Sequence, residues 1–262
     1  MENKIILSTK NLFTGYSSKK GKNVIGSDIN LQLKSGKLIS LIGANGIGKS
    51  TLIRTLTGIQ KPISGEVILN QKNINTYNPK ELAQELSIVL TENLPPSNLT
   101  VFELVALGRQ PYTNWIGKLT SDDISKVNEA LSMTQISNLA TKKHFEISDG
   151  QLQKVLIARS LAQDTPLIIL DEPTTHLDLV HKVSLLKLLK KLASETNKCI
   201  LFSTHDLDLA LQLSDQMIVM NAERTVLNSP ENLIDEGILD SLFTDENIFF
   251  DKEKAKFILK KL

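Results

Sequence analysis

The segment from Gly43 to Ser50 contains the residue types that a phosphate-binding loop requires, in the required order. It reads Gly-Ala-Asn-Gly-Ile-Gly-Lys-Ser and fits the pattern G-x-x-x-x-G-K-[ST] in full. Glycines let the backbone wrap around phosphates, which accept hydrogen bonds from successive N–H groups and from a helix N-terminus. The pattern predicts a site for ATP; the alternative is a glycine-rich turn with a solvated lysine. The predicted nucleotide-binding residues are Gly43, Ala44, Asn45, Gly46, Ile47, Gly48, Lys49, Ser50 and Thr51.

Four residues could together hold and hydrolyse a nucleotide: Lys49 and Ser50 in this loop, and Asp171 and Glu172 farther along the chain. Lys49 can neutralise charge on the β- and γ-phosphates, while Ser50 and Asp171 offer Mg²⁺ the oxygen ligands that hard cations prefer. Glu172 is the predicted general base, which accepts the proton of the attacking water and typically contributes about 10²- to 10⁴-fold in rate. The alternative for the two carboxylates is a solvated acidic turn before Pro173.

Three short apolar runs end in residues that could do chemistry. The runs cover residues 38–42, 167–170 and 199–202, and they are continuous, as is typical of parallel strands buried on both faces. Gly43, Asp171 and the segment Ser203-Thr204-His205 follow these runs. They are therefore expected at the carboxyl ends of strands, where open α/β folds bind ligands. The sequence predicts an α/β fold: a P-loop NTPase core with a mixed, largely parallel sheet. Residues 29–33 alternate between apolar and polar, which predicts a further strand with one solvated face.

Between residues 98 and 161 the pattern changes from strands to helices. Thr100 and Glu103 predict a capping box at the start of one helix, and Gly108 is the expected C-cap. Further helices are expected to start near Thr120 and at Ser148. These helices predict a helical lobe inserted into the α/β core.

Length and composition fit one domain with these parts. The chain has 262 residues, 41% of them hydrophobic, which suffices for one large α/β domain. Short amphipathic helices and a final strand are expected near the C-terminus, where they could cover a sheet edge. The expected division is a nucleotide-binding core at 1–92 and 162–225, a helical lobe at 93–161, and a C-terminal extension at 226–262.

Charge and cysteine content limit the class of partner and the compartment. The formal net charge is only +1, so the bulk electrostatics favour neither nucleic acid nor an anionic membrane surface as a partner. The single Cys199 cannot form an intramolecular disulfide, and the polar residues 1–4 lack the apolar stretch of a signal peptide, so a cytosolic protein is expected. No apolar stretch is long enough to span a membrane, so any membrane process would require a separate integral partner.

Four segments together resemble the ATP-binding subunit of an ABC transporter, in order and over nearly the whole chain. They are Gly43 to Thr51, Ile147 to Gln151, Leu170 to Asp178, and Ser203 to Asp206. The resemblance implies an ATPase that works as a homodimer with ATP at the interface. It also implies that Tyr16 stacks on adenine, for which an aromatic face is suited. The alternative for Tyr16 is a half-buried strand tyrosine.

The resemblance further assigns roles to residues outside the glycine loop. Ser148, Gly150 and Gln151 would form the signature that closes over the γ-phosphate held by the opposite subunit. From physics alone, Ser148 and Gln151 also form a capping box, and both interpretations can hold. Asp178 is the carboxylate of the loop that communicates between paired sites. His205 resembles the switch histidine that contacts the γ-phosphate, which makes it the second predicted catalytic residue beside Glu172.

The sequence departs from the family pattern at two places. Asp149 stands where the first signature glycine is usual, and a carboxylate near a phosphate should weaken binding unless it points away. Thr91, followed by Glu92, replaces the glutamine that ordinarily senses Mg²⁺ and couples the helical lobe to the permease. Because either side chain offers oxygen to a metal or its water, Thr91 and Glu92 are further predicted metal ligands.

The segment Gly108-Arg109-Gln110-Pro111 is similar to that of importers of iron-siderophore, haem and cobalamin; the alternative is a plain proline-containing loop. This resemblance implies a permease dimer and a substrate-binding protein as partners. It also implies a peripheral location on the cytoplasmic side of the inner membrane. Iron-chelate uptake (siderophore or haem) is the favoured function, with cobalamin as the other substrate.

Two other classes of ATP-using protein remain as alternatives. A soluble ABC ATPase acting on ribosomes or DNA would usually carry a second such domain or long coiled coils, and the chain shows neither. A P-loop kinase is disfavoured by the signature that precedes the Asp171-Glu172 strand.

Overall fold

The computed structural model describes residues 4–18, 21–90, 97–175, 177–242, 248–252, 254 and 256–259. Its strands, numbered in chain order, are β1 (Ile5–Ser18), β2 (Gly21–Ile29), β3 (Gln32–Lys34), β4 (Leu38–Gly43), β5 (Ser64–Leu69), β6 (Lys72–Asn73), β7 (Leu86–Val89), β8 (Leu167–Leu170), β9 (Cys199–Ser203), β10 (Gln216–Met220), β11 (Thr225–Asn228), β12 (Ile248–Asp251) and β13 (Lys256–Leu259). Its α-helices are α1 (Lys49–Leu56), α2 (Pro79–Glu85), α3 (Val101–Ala106), α4 (Ser121–Met133), α5 (Asp149–Ala162), α6 (Leu179–Thr196), α7 (Leu207–Leu213) and α8 (Pro230–Asp235). Across the described ranges, no helix has both the length and the apolar character needed to cross a lipid bilayer.

The central sheet has six strands in the order β11-β10-β4-β9-β8-β7. All neighbouring pairs are parallel except β10 and β11. Every residue of β4, β8 and β9 is buried, because helices or a second sheet cover both faces. The three apolar runs are therefore parallel strands, and the predicted α/β fold with a largely parallel sheet is confirmed.

A second, antiparallel sheet lies beside the first and was not predicted. Its order is β2-β1-β5-β6, and β3 pairs with β1 as well. The predicted alternation is present, since Ile29, Leu31 and Leu33 are all buried. The prediction of one continuous strand was wrong, however, because the chain breaks between β2 and β3. There Leu31 exchanges hydrogen bonds with Thr9 of β1: Thr9 N donates to Leu31 O at 3.0 Å, and Leu31 N donates to Thr9 Oγ1 at 2.9 Å.

Three helices, α3 to α5, lie between β7 and β8. The predicted capping boxes at Thr100 and Ser148 are confirmed, and a third is present at Thr120, where a helix start was expected. The expectation that Gly108 ends the first helix was wrong, because α3 continues into a 3₁₀ turn at Leu107–Arg109. A Cβ on Gly108 would lie 2.2 Å from the carbonyl oxygen of Arg159. Close packing on α5 is therefore what requires glycine at this position.

Arg109, in the same turn, joins the three helices. Its Nε lies 2.8 Å from Oδ1 of Asp123, and both side chains are buried. Its guanidinium also donates to the carbonyl oxygen of Ala162 at 2.8 Å and lies 4.0 Å from the ring centre of Tyr112. The Gly-Arg-x-Pro segment thus has a structural role in holding α4 and α5 together.

Apolar cores lie on both faces of the central sheet. One contains residues of α3 to α6, and another contains α1 and the antiparallel sheet. The second core includes Cys199, whose complete burial raises the pKa of its thiol to about 12. A third cluster joins the C-terminal residues Leu233 and Phe250 to Ile42 and Val219. The C-terminal segment thus packs against β4 and β10 on a face of the sheet, rather than against a sheet edge as expected.

Candidate functional site

The glycine loop connects β4 to α1 at the carboxyl edge of the central sheet. Gly46 and Gly48 have φ angles of +76° and +111°, which side-chain-bearing residues rarely adopt. A Cβ on Gly48 would lie 2.4 Å from Cγ2 of Ile25, and one on Gly43 would lie 2.7 Å from the carbonyl oxygen of Met220. The folded shape of the loop therefore requires glycine at these positions, as the phosphate-loop pattern predicts.

Lys49 is buried at the base of the loop. Its Nζ donates to the carbonyl oxygens of Gly43 at 2.8 Å and Ala44 at 3.2 Å. Burial lowers the pKa of Lys49, while the nearby carboxylates of Glu172 and Asp171 oppose that shift. The ammonium thus lies within the electrostatic reach of both the predicted base, Glu172, and the predicted metal ligand, Asp171.

Tyr16 and Asp171 open onto one cleft of about 920 Å³ beside α1. Tyr16 lies on β1 with 47% of its surface exposed, and its hydroxyl is 3.3 Å from Oγ1 of Thr51. Ser50 is exposed in the first turn of α1. An exposed aromatic ring and a carboxylate thus line a cavity of nucleotide size, and the glycine loop with Ser50 lies outside its lining.

The ends of β8 and β9 bring Asp171, Glu172 and His205 together. His205 Nε2 lies 2.5 Å from Oε1 of Glu172. Thr175 Oγ1 donates to Oε2 of the same carboxylate at 3.3 Å. Glu172 itself has a φ of +48°, an unusual left-handed conformation for a residue other than glycine. The predicted base and the predicted switch histidine are therefore direct neighbours.

The available oxygen ligands fit Mg²⁺ bound together with a nucleotide. In the described part of the chain, no group of three or more His, Cys, Asp or Glu could hold a metal ion alone. Mg²⁺ usually keeps several waters and takes one or two protein ligands together with substrate phosphates. Ser50 and Asp171 match that requirement. Thr91 and Glu92, the other predicted metal ligands, lie outside the described residues, so their role stays a prediction.

The signature segment forms the start of α5. The N–H of Ser148 donates to Oε1 of Gln151 at 3.1 Å, and the N–H of Gln151 donates to Oγ of Ser148 at 3.4 Å. Asp149 is exposed in the first helical turn, where a carboxylate interacts favourably with the helix dipole. A Cβ on Gly150 would make only ordinary contacts, 3.5 Å from His181 and 3.7 Å from Leu177. The chain's own atoms therefore do not require glycine at position 150.

Asp178 caps the N-terminus of α6 beside the signature. Its Oδ1 accepts from the N–H of His181 at 2.9 Å and lies 2.8 Å from the Nδ1 of the same residue. These hydrogen bonds lower the pKa of Asp178. Among the described residues, no hydrogen bond links Ser148, Gln151 or Asp178 to the glycine loop. The predicted site thus has two parts that no hydrogen bond joins in the described part of the chain.

Sequence reasoning assigned no role to two residues that contact this site, Ser203 and His181. Ser203 Oγ lies between Asp171 and Glu172, and His181 lies between Asp178 and Gly150. The signal for Ser203 is present in the sequence, because it follows an apolar run as Asp171 does, and the two strands are neighbours. His181 follows Asp178 by three positions, the spacing at which an N-cap contacts the first helical turn.

Sequence comparisons identify relatives over most of the chain. The profile of the ABC transporter family matches residues 27–175. An uncharacterized ABC transporter ATP-binding protein of Methanocaldococcus jannaschii is 41% identical, over 97% of this chain and 87% of that protein. The achromobactin transport ATP-binding protein of Dickeya dadantii is 39% identical, over 90% and 87%. The iron(3+)-hydroxamate import ATP-binding protein of Bacillus subtilis is 41% identical, over 82% and 78%.

Solved structures give the same result at lower identity. A chain from a metal-chelate type ABC transporter in an inward-facing conformation superimposes with a TM-score of 0.78 at 28% identity, over 97% of this chain and 96% of that one. An ATP-binding cassette in a post-hydrolysis state, bound to ADP and Pi, superimposes with a TM-score of 0.72 at 29% identity, over 86% and 99%.

Proposed function

The chain belongs to the ABC transporter family as an ATP-binding subunit and an ATPase, and from this we propose that it drives uptake of an iron chelate through a separate permease. The observation that carries the ATP-hydrolysing part of the proposal is the convergence of Lys49, Asp171, Glu172 and His205 at one edge of the central sheet. The import function is supported by relatives whose names specify iron(3+)-hydroxamate import and by the metal-chelate type transporter.

The proposed catalytic roles follow from the contacts of each side chain. Glu172 accepts the proton of the attacking water, and His205, at 2.5 Å, orients that carboxylate and reaches toward the γ-phosphate. Lys49 supplies positive charge from a buried position, where its interaction with phosphate is stronger than in water. Ser50 and Asp171 would hold Mg²⁺, which would neutralise charge on the phosphates. Tyr16 stacks on the adenine ring.

We propose that the two separate parts of the site meet across a homodimer. The signature residues Ser148, Gly150 and Gln151, with Asp178, would close over a nucleotide held by the partner's glycine loop. Gly150 supports this arrangement, because its own chain leaves room for a Cβ there. A head-to-tail C2 dimer would complete both sites at once. ATP then favours the closed dimer, and hydrolysis opens it.

The proposed permease contact is an exposed apolar surface on the helical lobe. Trp115 is 94% exposed and Ile116 is 69% exposed, which is unusual for large apolar side chains. They line a cleft of about 640 Å³ together with Pro79 and Ala83 of α2. An apolar segment of an integral permease dimer fits this surface.

The subunit would then lie peripherally on the cytoplasmic side of the inner membrane, with a substrate-binding protein on the other side. The division into core 1–92 and 162–225, lobe 93–161 and extension 226–262 remains part of this proposal.

Siderophore or haem is the proposed iron chelate, and cobalamin is the other candidate. The second candidate function is a soluble ABC ATPase that acts on ribosomes or DNA. It shares the same hydrolytic residues, but a polyanion would require a basic surface, and Lys80 is the one charged residue among the described residues that line the cleft.

The test uses the Glu172→Gln variant, purified from its native membranes with ATP and Mg²⁺. Without its base, the variant should bind ATP, accumulate as a dimer and turn over at least about 100-fold more slowly. The matched control is Glu223→Gln, which makes the same change at an exposed turn between β10 and β11. Recovery of a multi-span permease supports the importer. Recovery of ribosomes or DNA-repair proteins instead would overturn the transport assignment, and rapid hydrolysis by Glu172→Gln would exclude Glu172 as the base.

A further inference from the structure

Ser203 lies where β8 and β9 end side by side. The two strands are parallel, and Leu170 pairs with Phe202. The next residue on each strand is therefore Asp171 on one and Ser203 on the other. The side chain of Ser203 is completely buried, and its Oγ lies 2.6 Å from Oδ1 of Asp171 and 2.8 Å from the backbone nitrogen of Glu172. One hydroxyl thus contacts both carboxylate-bearing residues.

The direction of both hydrogen bonds follows from the groups involved. A backbone N–H can only donate, so Ser203 Oγ accepts from Glu172. An ionised carboxylate can only accept, so the single hydroxyl proton of Ser203 is donated to Asp171. The 2.6 Å distance is typical of a hydrogen bond to a charged oxygen, which is stronger than one between neutral groups. The hydroxyl therefore has one defined orientation.

The bond to Glu172 supports a strained backbone. A φ of +48° lies in the left-handed region, which is unfavourable for a residue with a Cβ. Among the described residues, Ser203 Oγ is the acceptor of the N–H of Glu172. In the same conformation, the Glu172 carboxylate reaches both His205 and Thr175. Loss of the Ser203 hydroxyl would free the backbone of Glu172 to relax away from this arrangement.

The geometry points to Ser203 as a positioning residue for ATP hydrolysis, which holds the Asp171 carboxylate and the Glu172 backbone in one arrangement. The inference rests on the proposed function, because that proposal makes Asp171 a metal ligand and Glu172 the base. The side chain of Ser203 is completely buried, so it acts through Asp171 and Glu172 and not as a catalytic residue itself.

The test is the steady-state kinetics of Ser203→Ala. A misplaced base typically costs about 10- to 100-fold in rate, so kcat should fall by that factor while the KM for ATP changes little. The Mg²⁺ concentration for half-maximal activity should also rise. The matched control is Ser40→Ala on the neighbouring strand β4. Ser40 pairs with Phe202 and is equally buried, but within the described residues its hydroxyl has no hydrogen-bond partner. This control should keep the wild-type kcat.

A second measurement does not depend on turnover. ATP affinity is measured with Mg²⁺ and with EDTA, and the gain due to Mg²⁺ should shrink in Ser203→Ala while affinity in EDTA stays unchanged. A purely structural role would lower the melting temperature without changing this gain. If Ser203→Ala does not fold, Ser203→Cys fills the same space with a weaker hydrogen-bonding group and should show the same losses.

The outcomes separate this inference from the proposed function. Wild-type kcat and Mg²⁺ dependence in Ser203→Ala, with Glu172→Gln inactive, overturn the role of Ser203 alone. Rapid hydrolysis by Glu172→Gln overturns the base assignment, whatever Ser203→Ala does. Equal losses of kcat in Ser203→Ala and Ser40→Ala would show that the effect comes from a general disturbance of the sheet. That result also overturns the inference.

Discussion

Asp149 and Gly150 are neighbours in the first turn of α5, but they contribute differently to the stability of their own chain. The carboxylate of Asp149 favours the helix N-terminus, whereas the packing around position 150 does not require glycine. Gly150→Ala should leave folding intact or raise stability by up to about 1 kcal/mol, because alanine favours the helix and its Cβ meets nothing closer than 3.5 Å. Hydrolysis should nevertheless fall at least about 10-fold, since the added methyl group would face the partner's nucleotide. Thermal unfolding and ATPase assays on the same sample separate the two effects.

Asp149→Gly is the matched comparison. It removes a carboxylate that favours the helix N-terminus, so stability should fall by about 0.3–1 kcal/mol plus the cost of a glycine. Hydrolysis should stay the same or increase, because one negative charge leaves the neighbourhood of the phosphates. A collapse of hydrolysis in Asp149→Gly would assign that carboxylate a positive role. Full activity in Gly150→Ala would argue against a nucleotide at this surface.

Single residues of the site differ in how far sequence reasoning could place them. Lys49 and Ser50 belong to a contiguous pattern, so the sequence alone could predict their position between a strand and a helix, β4 and α1. Ser203 acts on a residue of a different strand, and its role became visible only when the strand order was known. His181 of α6 lies next to Gly150 of α5, where an added Cβ would be 3.5 Å from its ring, and no local pattern encodes this proximity.

At the scale of elements, the buried ion pair of Arg109 and Asp123 holds the turn after α3 to the start of α4. Asp123→Ala leaves the Arg109 charge buried without its counterion and should destabilise the protein by about 3–5 kcal/mol. Chemical denaturation of both proteins gives this difference. The control is Glu195→Ala, which breaks an exposed pair with Lys191 and should cost no more than about 1 kcal/mol.

The same measurement has a defined pH dependence. Hydrogen bonds from the N–H and hydroxyl of Thr120, and then the interaction with Arg109, lower the pKa of Asp123 from its ordinary value of 3.8. A lowered carboxylate pKa stabilises the fold above pH 3.8, and this contribution is lost as the pH falls through the lower folded-state pKa. The difference between wild type and Asp123→Ala should therefore be constant near neutrality and shrink in acid. A difference that grows below pH 3.8 would contradict this assignment.

Local signals predicted where the helices begin, and contacts between helices decided the rest. Thr100 and Ser148 act on residues three positions away, so their capping boxes are readable from sequence. Gly108 was misinterpreted because its reason is a backbone contact with α5, far along the chain. The break between β2 and β3 also involves a distant residue, because Leu31, which lies in the break, hydrogen-bonds to Thr9 of β1.

For the whole molecule, the exposed Trp115 gives the proposed permease contact a test. Trp115→Ala should weaken recovery of the permease with the subunit by at least about 2 kcal/mol, or roughly 30-fold, if the indole is a central anchor. Co-purification at several subunit concentrations measures this change. The control, Ile124→Ala, removes another exposed apolar side chain, from α4, and should not affect recovery. Equal recovery of the permease with Trp115→Ala would place the contact elsewhere.

The central sheet was predictable because continuous apolar runs suit strands with both faces covered. The antiparallel sheet was not, because β1 is long and bulged and pairs with three different strands at different points. Its residues alternate too irregularly for a pattern of period two. A strand could thus be predicted from the sequence where the burial of its side chains follows one regular pattern along its whole length.

The complete burial of Cys199 has a practical consequence for chemical labelling. It is the only cysteine in the sequence, and with a pKa of about 12 its thiol is protonated at neutral pH. A maleimide dye should therefore not react with the folded wild-type protein. A cysteine added at any exposed position becomes the one reactive thiol of the folded chain. Cys199 itself reacts only once β9 leaves the core, so the native chain already carries its own reporter of unfolding.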